Sequence, residues 1–207
     1  MRNAWRYAAT VLVAVLALYG CENMRGQAGG GWTTVLDGSD PATLANWNRI
    51  GDANWRVEDG AVVADRGKGG YLVSKNSYRD FQIRAEFWAA DNTNSGIFLR
   101  AGDPNKIGAV TAYEVNIYDH RPDPSYGTGA IVDVAKVSTM QKAGGKWNTY
   151  LITARGGHLT VELNGQKTVD VQDSKHASGP FALQYGSGPK NAQGGPIKWR
   201  KVEVREL

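Results

Sequence analysis

The sequence has few of the residues that disulfide scaffolds, metal centres and nucleic-acid surfaces require. Cys21 is its only cysteine, so no internal disulfide can form. His120, His158 and His176 are isolated, and no loop has the ligand spacing of a calcium site. The formal charge is only +4 and there is no basic run, which argues against a nucleic-acid partner. We predict no cofactor, since calcium or another divalent metal would have to bind without a motif.

The chain also lacks an apolar run long enough to span a membrane as a helix, which takes about 20 residues. The N-terminal run, Ala8 to Tyr19, has 12 residues and follows Arg2 and Arg6. This pattern is typical of a secretory signal peptide. Cys21 comes after a small residue just beyond the run, and this resembles the bacterial lipoprotein signal, in which that cysteine is acylated. The alternative is an ordinary signal peptide that is cut elsewhere, with Cys21 incidental.

Three segments follow from this interpretation: a lipoprotein signal peptide over 1–20, a tether with lipidated Cys21 over 21–31, and one domain over 32–207. The polar, glycine-rich tether suits a flexible link. Acyl chains anchor a protein to a membrane without spanning it. We therefore expect a lipid-anchored protein of the cell envelope. Glu22, which is not Asp, favours the outer membrane or the periplasm-facing side.

What the sequence has instead is many glycines, many aromatic residues, and segments in which apolar and polar residues alternate with a period of two. It contains 26 Gly, 9 Tyr and 7 Trp. Asp59-Gly60 and Asn164-Gly165 lie between alternating segments and predict two hairpins. Further strands are predicted at 81–88, 95–100, 113–118, 130–134, 147–154, 181–185 and 197–204, the last with a bulge near Arg200-Lys201. Ten or more short strands without a helix predict an all-β sandwich or jelly roll of two antiparallel sheets.

Eight phrases occur in an order that resembles a known family. They are W-R-V-E-D-G (55–60), D-F-Q-I-R-A-E-F (80–87), N-S-G-I-F-L-R (94–100), Y-E-V-N-I-Y-D (113–119), K-W-N-T-Y (146–150), L-N-G (163–165), G-P-F-A-L-Q (179–184) and W-R-K-V-E-V-R-E-L (199–207). Over about 33–207 the chain is similar to the 3-keto-disaccharide hydrolase domain family, long catalogued as a domain of unknown function. The resemblance implies a concanavalin A-like jelly roll. It also implies an enzyme that acts on glycosides oxidised to a ketone at C3.

The implied reaction makes simple demands on a site. A ketone at C3 acidifies the hydrogen on C2, the enolate expels the substituent at C1, and water adds back. Such a site needs a base near C2 and a donor or cation near the ketone oxygen. It does not need the matched carboxylate pair of ordinary glycosidases.

Glu114 is the first candidate for the catalytic base. Alternation with Tyr113, Val115 and Ile117 places Glu114, Asn116 and Tyr118 on one strand face. An acid, an amide and an aromatic ring on one face suit a sugar. The family more often has Gln at the position of Asn116. A solvent-exposed sheet face would show the same alternation.

Three more catalytic candidates surround that strand. Arg100 ends the preceding strand in phase with Phe98, where it would stabilise an enolate or form an ion pair with Glu114 or Glu86. A bulge before Asp119 would bring its carboxylate to the side of Glu114. His120 is a candidate base because histidine is the usual general base of enzymes, although a histidine at a strand end is often only a loop residue.

The remaining predicted site residues are contacts for substrate. Asn94, beside Ser95, opens a turn-like entry to a strand, and Gln184 is out of phase with its apolar neighbours. Trp88, Tyr185 and Trp199 are candidate stacking platforms and Arg200 is a candidate polar contact. Core positions are expected for Trp47, Trp55 and Trp147.

We therefore expect a carbohydrate substrate and, through the lipid anchor, a membrane as partners. The leading hypothesis is an enzyme that cleaves 3-keto-glycosides by proton abstraction at C2 and elimination, then hydration. The alternatives are a non-catalytic carbohydrate-binding lipoprotein and a structural envelope lipoprotein that binds protein. The sequence does not indicate an oligomeric state.

Overall fold

The computed structural model describes residues 31–188 and 193–207, which form thirteen strands. The predicted signal peptide and Cys21 lie outside these residues. The strands are β1 (Thr33–Asp37), β2 (Trp47–Gly51), β3 (Arg56–Glu58), β4 (Ala61–Ala64), β5 (Gly70–Ser74), β6 (Phe81–Ala89), β7 (Ser95–Leu99), β8 (Tyr113–Ile117), β9 (Lys146–Arg155), β10 (His158–Leu163), β11 (Gln166–Gln172), β12 (Ala182–Tyr185) and β13 (Ile197–Glu206). The described helical turns are two short 3-10 segments, Thr43–Asn46 and Pro124–Tyr126. No helix in this part of the chain is long and apolar enough to cross a membrane.

The strands form two antiparallel sheets. One has eight strands in the order β11-β10-β9-β6-β13-β4-β3, with β1 also paired to β13. The other has five strands in the order β2-β5-β12-β7-β8. Neighbours in the five-stranded sheet come from distant parts of the sequence, as with β5 and β12. The prediction of an all-β sandwich is confirmed.

Both hairpins form where the two-residue turns predicted them. Asp59 and Gly60 have φ of 52° and 73°, and Asn164 and Gly165 have φ of 53° and 80°. Left-handed values at both central residues characterise the type I′ turn, whose twist matches that of the flanking strands. The predicted bulge in β13 is also present, between Trp199 and Lys201. The predicted strand over 130–134 is instead a turn that makes isolated bridges from Ile131 to Val115 and Ala135.

The main core lies between the two sheets and follows from the alternation. In β6, Phe81, Ile83, Ala85 and Phe87 are fully buried, whereas the residues between them are partly or fully exposed. Phe87 stacks on Tyr150 of β9 with ring centroids 5.0 Å apart. This core covers one face of the five-stranded sheet. The other face carries a second, smaller apolar cluster.

Candidate functional site

The face of the five-stranded sheet that points away from the core, called the open face here, has its own small apolar cluster. Val73 of β5, Phe98 of β7 and Ala182 of β12 are buried there, apart from the main core. Tyr71 packs on Phe98 edge-to-face, with ring centroids 5.4 Å apart. Polar groups on the same face are therefore held against a packed apolar floor.

Strand register aligns one residue from each of four strands across the open face. Tyr71 of β5 pairs with Gln184 of β12, and Gly96 of β7 pairs with Asn116 of β8. The β12-β7 register, which continues to the bridge between Asn94 and Gly186, sets Gln184 opposite Gly96. The transverse row is therefore Tyr71, Gln184, Gly96 and Asn116.

Glu114 lies next to this row on β8, opposite Phe98. Only 8% of its surface is exposed. Burial raises the pKa of its carboxyl from the usual 4.5 to about 7, against the lowering effect of Arg121 and with a smaller raising effect of Asp133. No hydrogen bond or salt bridge to a described residue is among the causes of this pKa. The site therefore holds an acid that changes charge near neutral pH.

Asn116 is fully buried, and half of its amide is unpaired. Its Nδ2 donates to the Tyr126 carbonyl at 2.7 Å. Its Oδ1 is enclosed and accepts no hydrogen bond from the described residues. The backbone on either side is pinned, because Asn116 N donates to the Ala130 carbonyl and Tyr150 Oη donates to the Asn116 carbonyl. A buried acceptor without a donor is costly, which makes Asn116 Oδ1 an unusual polar group beside Glu114.

Gln184 repeats this pattern on the other side of Gly96. Its Nε2 donates to Tyr71 Oη at 3.4 Å, while its Oε1 is enclosed without a donor from the described residues. Tyr71 Oη in turn donates to the Ile107 carbonyl at 3.2 Å. Burial raises the pKa of the Tyr71 phenol, the Gln184 contact lowers it and the charge of Glu114 raises it. Tyr71 thus accepts a hydrogen bond from Gln184, and its pKa is affected by the charge of Glu114.

A cavity of about 280 Å³ adjoins the Tyr71 end of the row. Asn94 is one wall: its Nδ2 donates to the Ser187 carbonyl at 2.8 Å. The lining comprises Ile50, Gly51, Lys68, Gly69, Gly70, Tyr71, Asn94, Gln184, Tyr185, Gly186 and Ser187. Several of these are glycines, so backbone groups as well as side chains border the space.

Comparison with known proteins identifies the family. The model of the 3-keto-alpha-glucoside-1,2-lyase-like domain matches residues 31–205. The chain belongs to this family. A curated relative, the 3-keto-disaccharide hydrolase of Bacteroides thetaiotaomicron, is 24% identical over 171 residues, which are 68% of this chain and 58% of the relative. The chain thus spans less than two thirds of that relative's length.

Solved structures share the fold of this lyase-like domain. A protein from Parabacteroides distasonis, provisionally described as a glycosyl hydrolase, superposes with a TM-score of 0.68 at 22% identity, covering 86% of this chain and all of that one. The carbohydrate-binding module CBM66 from Bacillus subtilis gives 0.57 at 16% identity, with 87% and 98% covered. The jelly-roll prediction is confirmed. Family membership makes the chain a glycoside hydrolase-like or carbohydrate-binding domain.

Arg100 is not beside Glu114, contrary to the prediction. It has a left-handed backbone (φ 53°), which turns its side chain away from the phase of Phe98. The guanidinium is 1% exposed and donates to the carbonyls of Arg79, Gly156 and His176 at 2.8, 2.7 and 3.1 Å. Its carboxylate partner is Asp80 at 3.5 Å, not Glu114 or Glu86. Arg100 therefore ties three chain segments together.

Asp119 and His120 are also separate from Glu114. β8 pairs with β7 without a register shift over Tyr113–Ile117, so no bulge lies within the paired strand. Asp119 accepts hydrogen bonds from Thr128 Oγ1 at 2.5 Å and from the backbone N–H groups of Ala143 and Gly144 at 2.9 and 2.8 Å. His120 is exposed, with Nε2 3.0 Å from an oxygen of Asp91. Both side chains hold loops at the end of β8.

Two predicted substrate contacts lie on the outer face of the eight-stranded sheet. Trp88 has the ammonium of Lys198 5.2 Å from its ring centroid, and Arg200 stacks on Trp147 at 3.8 Å. Arg200 also approaches Glu86 at 3.7 Å. Trp88 and Arg200 are thus far from Glu114 by topology, and, contrary to the prediction, they are not brought together with it.

The exposure of the aromatic side chains also changes several predictions. Trp147 is 38% exposed and is not a core residue, whereas Trp47 and Trp55 are buried as predicted. Tyr185 and Trp199 have no exposed surface, so they are not stacking platforms. Tyr118 is also buried, at 9% exposure, just beyond Asn116. Ser95 faces inward and donates to the Gln184 carbonyl at 2.5 Å.

The structure adds residues that sequence reasoning missed. Tyr71, Gly96, Arg121 and Asp133 surround Glu114, Asn116 or Gln184. A signal existed for Tyr71, because it is out of phase with the buried Leu72 in β5. Arg121 and Asp133 come from loops, where no periodicity exists to reveal direction. In residues 31–188 and 193–207, no group of three or more His, Cys, Asp and Glu side chains is placed to hold a metal ion.

Proposed function

We propose that this protein cleaves 3-keto-glycosides and that Glu114 is the base that removes the hydrogen at C2. The observation that carries the proposal is the buried Glu114 carboxyl, whose pKa is raised to about 7. A general base is most effective when its pKa lies near the working pH. Family membership and the name of the Bacteroides relative support the keto-glycoside as substrate.

The reaction needs no oxidant and no covalent intermediate on the protein. Ionised Glu114 takes the proton from C2, and the electrons of the C–H bond pass to the C3 ketone oxygen as an enolate. The enolate electrons then form a C1–C2 double bond while the bond from C1 to the glycosidic oxygen breaks, and that oxygen takes up a proton. Water adds at C1 and a proton returns to C2, so the net change is hydrolysis.

The surroundings of Glu114 supply the other parts of this chemistry. Arg121 replaces Arg100 as the cation whose charge acts on Glu114 and stabilises the carboxylate form. The Asn116 amide donates to the Tyr126 carbonyl at 2.7 Å and so helps to fix the position of β8 next to Glu114. Phe98 and Ala182 form a buried apolar floor on the same face, and burial of this kind favours the neutral form of an acid such as Glu114.

Turnover in deuterated water tests the assignment. The wild-type chain should release the leaving group from 3-keto-trehalose and introduce deuterium at C2. Glu114→Gln should lower the rate by about 10²–10⁴-fold, the usual contribution of a general base. Glu206→Gln, an exposed acid at the end of β13, is the matched control and should behave as wild type. Wild-type turnover by Glu114→Gln would disprove the role of Glu114.

A non-catalytic carbohydrate-binding domain is the second candidate. The observation in its favour is that Arg100, the predicted cation for the enolate, is committed to backbone carbonyls. In that case, calorimetry would show saturable binding of the intact sugar, and no deuterium would enter at C2. Glu114→Gln would then change affinity only.

The N-terminal sequence supports a location at the cell envelope. We propose that Cys21, which lies outside the described residues, is acylated and anchors the domain. Cys21→Ser should shift the protein from the membrane fraction to the soluble fraction while turnover is retained. Retention in the membrane fraction would indicate that the anchor lies elsewhere.

A further inference from the structure

The outer face of the eight-stranded sheet, which points away from the main core, presents three tryptophans with cations against their rings. The pairs are Trp32 with Arg84 and Arg205, Trp88 with Lys198, and Trp147 with Arg200. Trp88 of β6 and Trp147 of β9 are paired directly across the two strands, so their side chains leave the sheet next to each other. Trp147 is 38% exposed, although tryptophan is highly buried on average. The outer face therefore combines aromatic rings with positive charge.

Positive charge exceeds negative charge on this face. The outward side chains of β6 and β13 include five cations and two carboxylates, namely Arg84, Lys198, Arg200, Lys201 and Arg205 against Glu86 and Glu203. Glu203 is held between Arg84 at 2.6 Å and Lys201 at 2.9 Å, and its side chain is only 9% exposed. The whole chain has a formal charge of only +4, so this face, with three positive charges in excess, carries most of it.

An anionic membrane surface matches this combination of groups. Lys and Arg side chains near a membrane are attracted to anionic headgroups. Tryptophan is enriched at the same level of the membrane, because its apolar ring and polar N–H suit the boundary between lipid and water. The stretch of β6 from Gln82 to Trp88 is about 20 Å long at about 3.4 Å per residue, so the face can contact several headgroups at once.

The chain enters the domain on this face. Trp32, whose ring lies 4.7 Å from the Arg84 guanidinium and 4.8 Å from that of Arg205, directly follows the predicted tether of residues 21–31. A glycine-rich linker of eleven residues has an average span of about 18 Å. Acylation of Cys21 would therefore hold the outer face close to the membrane, and not the open face on the other side of the core.

We infer that the outer face of the eight-stranded sheet binds the anionic headgroups of the membrane and orients the domain on it. The two sheets enclose the main core, so a domain that rests on this face directs the five-stranded sheet and Glu114 toward the aqueous space. The inference rests on the proposed location at the cell envelope and is independent of the proposed reaction.

Vesicle binding by the full chain with Cys21→Ser tests the inference without a contribution from an acyl chain. The vesicles are phosphatidylcholine alone and an equal mixture of phosphatidylcholine and phosphatidylglycerol. The ratio of the two affinities is the readout, because the apolar run from Ala8 to Tyr19 contributes to both alike. The chain should prefer the anionic vesicles, and added salt should reduce the preference because exposed charges are screened. Equal affinities would overturn the inference.

Two matched pairs of substitutions in the same chain locate the binding face. Lys198→Gln combined with Arg200→Gln removes two cations from the outer face, and a loss of about fivefold in affinity for anionic vesicles is expected for each, so about 25-fold for both. Lys75→Gln combined with Lys106→Gln removes the same charge from exposed positions beside the five-stranded sheet and should have no effect. Equal losses for the two pairs, or no loss for either, would overturn the inference.

A fluorescent label reads the orientation directly. Cys21→Ser removes the only cysteine, so Thr149→Cys or Asn48→Cys provides a single thiol for an environment-sensitive fluorophore. Thr149 is exposed on the outer face, in β9, and Asn48 is exposed on the open face, where it pairs with Val73. Anionic vesicles should shift the emission of the label at Thr149 to shorter wavelength and leave that at Asn48 unchanged. The reverse pattern, or a shift at neither position, contradicts the proposed orientation.

A soluble polyanion separates a lipid surface from an anionic polymer as the partner. Binding to dextran sulfate, without a preference for anionic vesicles, would overturn the membrane as the partner. Failure of the proposed location is a different result: Cys21→Ser would then leave the protein in the same cell fraction as wild type. The vesicle and label measurements need no acyl chain, so they decide the inference in either case. Circular dichroism of each variant identifies misfolding.

Discussion

Glu114 and Arg100 are both buried charged side chains, yet their surroundings give them different roles. Arg100 meets three backbone carbonyls and Asp80, which satisfy most of its five N–H donors. Glu114 has a raised pKa because burial outweighs the nearby charge of Arg121. A buried ion that is fully bonded supports the fold, whereas a poorly compensated one with a pKa near neutrality is typical of a functional site.

Glu114 should destabilise the folded protein as the pH rises. Its pKa is raised from 4.5 to about 7 on folding, so between these values the folded state holds a proton that the unfolded state has released. Stability therefore falls across this window, and the full penalty, on the order of 3 kcal/mol, applies above pH 7. Glu114→Gln should show little gain at pH 4 and the largest gain at pH 8 in urea unfolding.

Glu206→Gln is the control for this pH series and should follow wild type. A gain for Glu114→Gln that is the same at pH 4, 6 and 8 would show that the carboxyl does not titrate in this window.

Arg100→Lys should lower stability without changing the chemistry. Lysine keeps the charge but loses the planar set of donors that reaches Arg79, Gly156 and His176 together. Leaving buried carbonyls unpaired should cost about 2–4 kcal/mol in urea unfolding. Arg66→Lys, an exposed arginine, should cost nothing measurable. A selective loss of kcat at full stability would return Arg100 to the catalytic site.

Among the strands, β8 shows what the alternation of apolar and polar residues can and cannot predict. Period two correctly placed Glu114 and Asn116 on one face, opposite Tyr113, Val115 and Ile117. All five residues of β8 are nevertheless buried. The segment after the strand covers it, through Val132 N to the Glu114 carbonyl and Gly129 N to the Asn116 carbonyl. That segment thus occupies the edge of β8, and the charges that act on Glu114, those of Arg121 and Asp133, come from loops that no strand pattern encodes.

Gly96→Ala should disturb β7 and β8 together. A Cβ at this position would lie 2.9 Å from the Val115 carbonyl oxygen, so the two strands would have to move apart locally. We expect a loss of about 1–3 kcal/mol and a lower rate, since Glu114 is on the strand that moves. Gly108→Ala, where a Cβ meets nothing within 4 Å, is the matched control. Wild-type stability and rate for Gly96→Ala would show that β7 and β8 accommodate a Cβ there without moving Glu114.

For the whole molecule, two tryptophans of the eight-stranded sheet show what the two-sheet arrangement decides. Trp199 of β13 is fully buried against Phe87, with ring centroids 5.8 Å apart, while Trp147 of β9 lies on the outer face of the same sheet. Both lie in strands that the alternation predicted. The residue type did not tell which face would be covered by the second sheet.

Trp199→Ala should destabilise the entire domain, because its side chain is in the one core between the sheets. We expect a loss of about 3–5 kcal/mol in a single cooperative transition. Trp147→Ala removes the same side chain from the surface and should cost less than about 1 kcal/mol. Comparable losses for the two variants would contradict the assignment of the core.

The features that could be predicted from the sequence are those that depend on interactions between residues close along the chain. The type I′ turns, the alternating strands and the bulge in β13 depend on residues close in sequence, so the all-β class and the polar face of β8 followed from the chain alone. The site depends on β5, β12, β7 and β8, and β12 is far in sequence from β5 and β7, its two neighbours in the sheet. The tertiary structure therefore decided which polar groups lie near Glu114. Strand pairing aligned Tyr71 and Gln184 with Asn116. The left-handed backbone of Arg100 itself, just after β7, turned that side chain away.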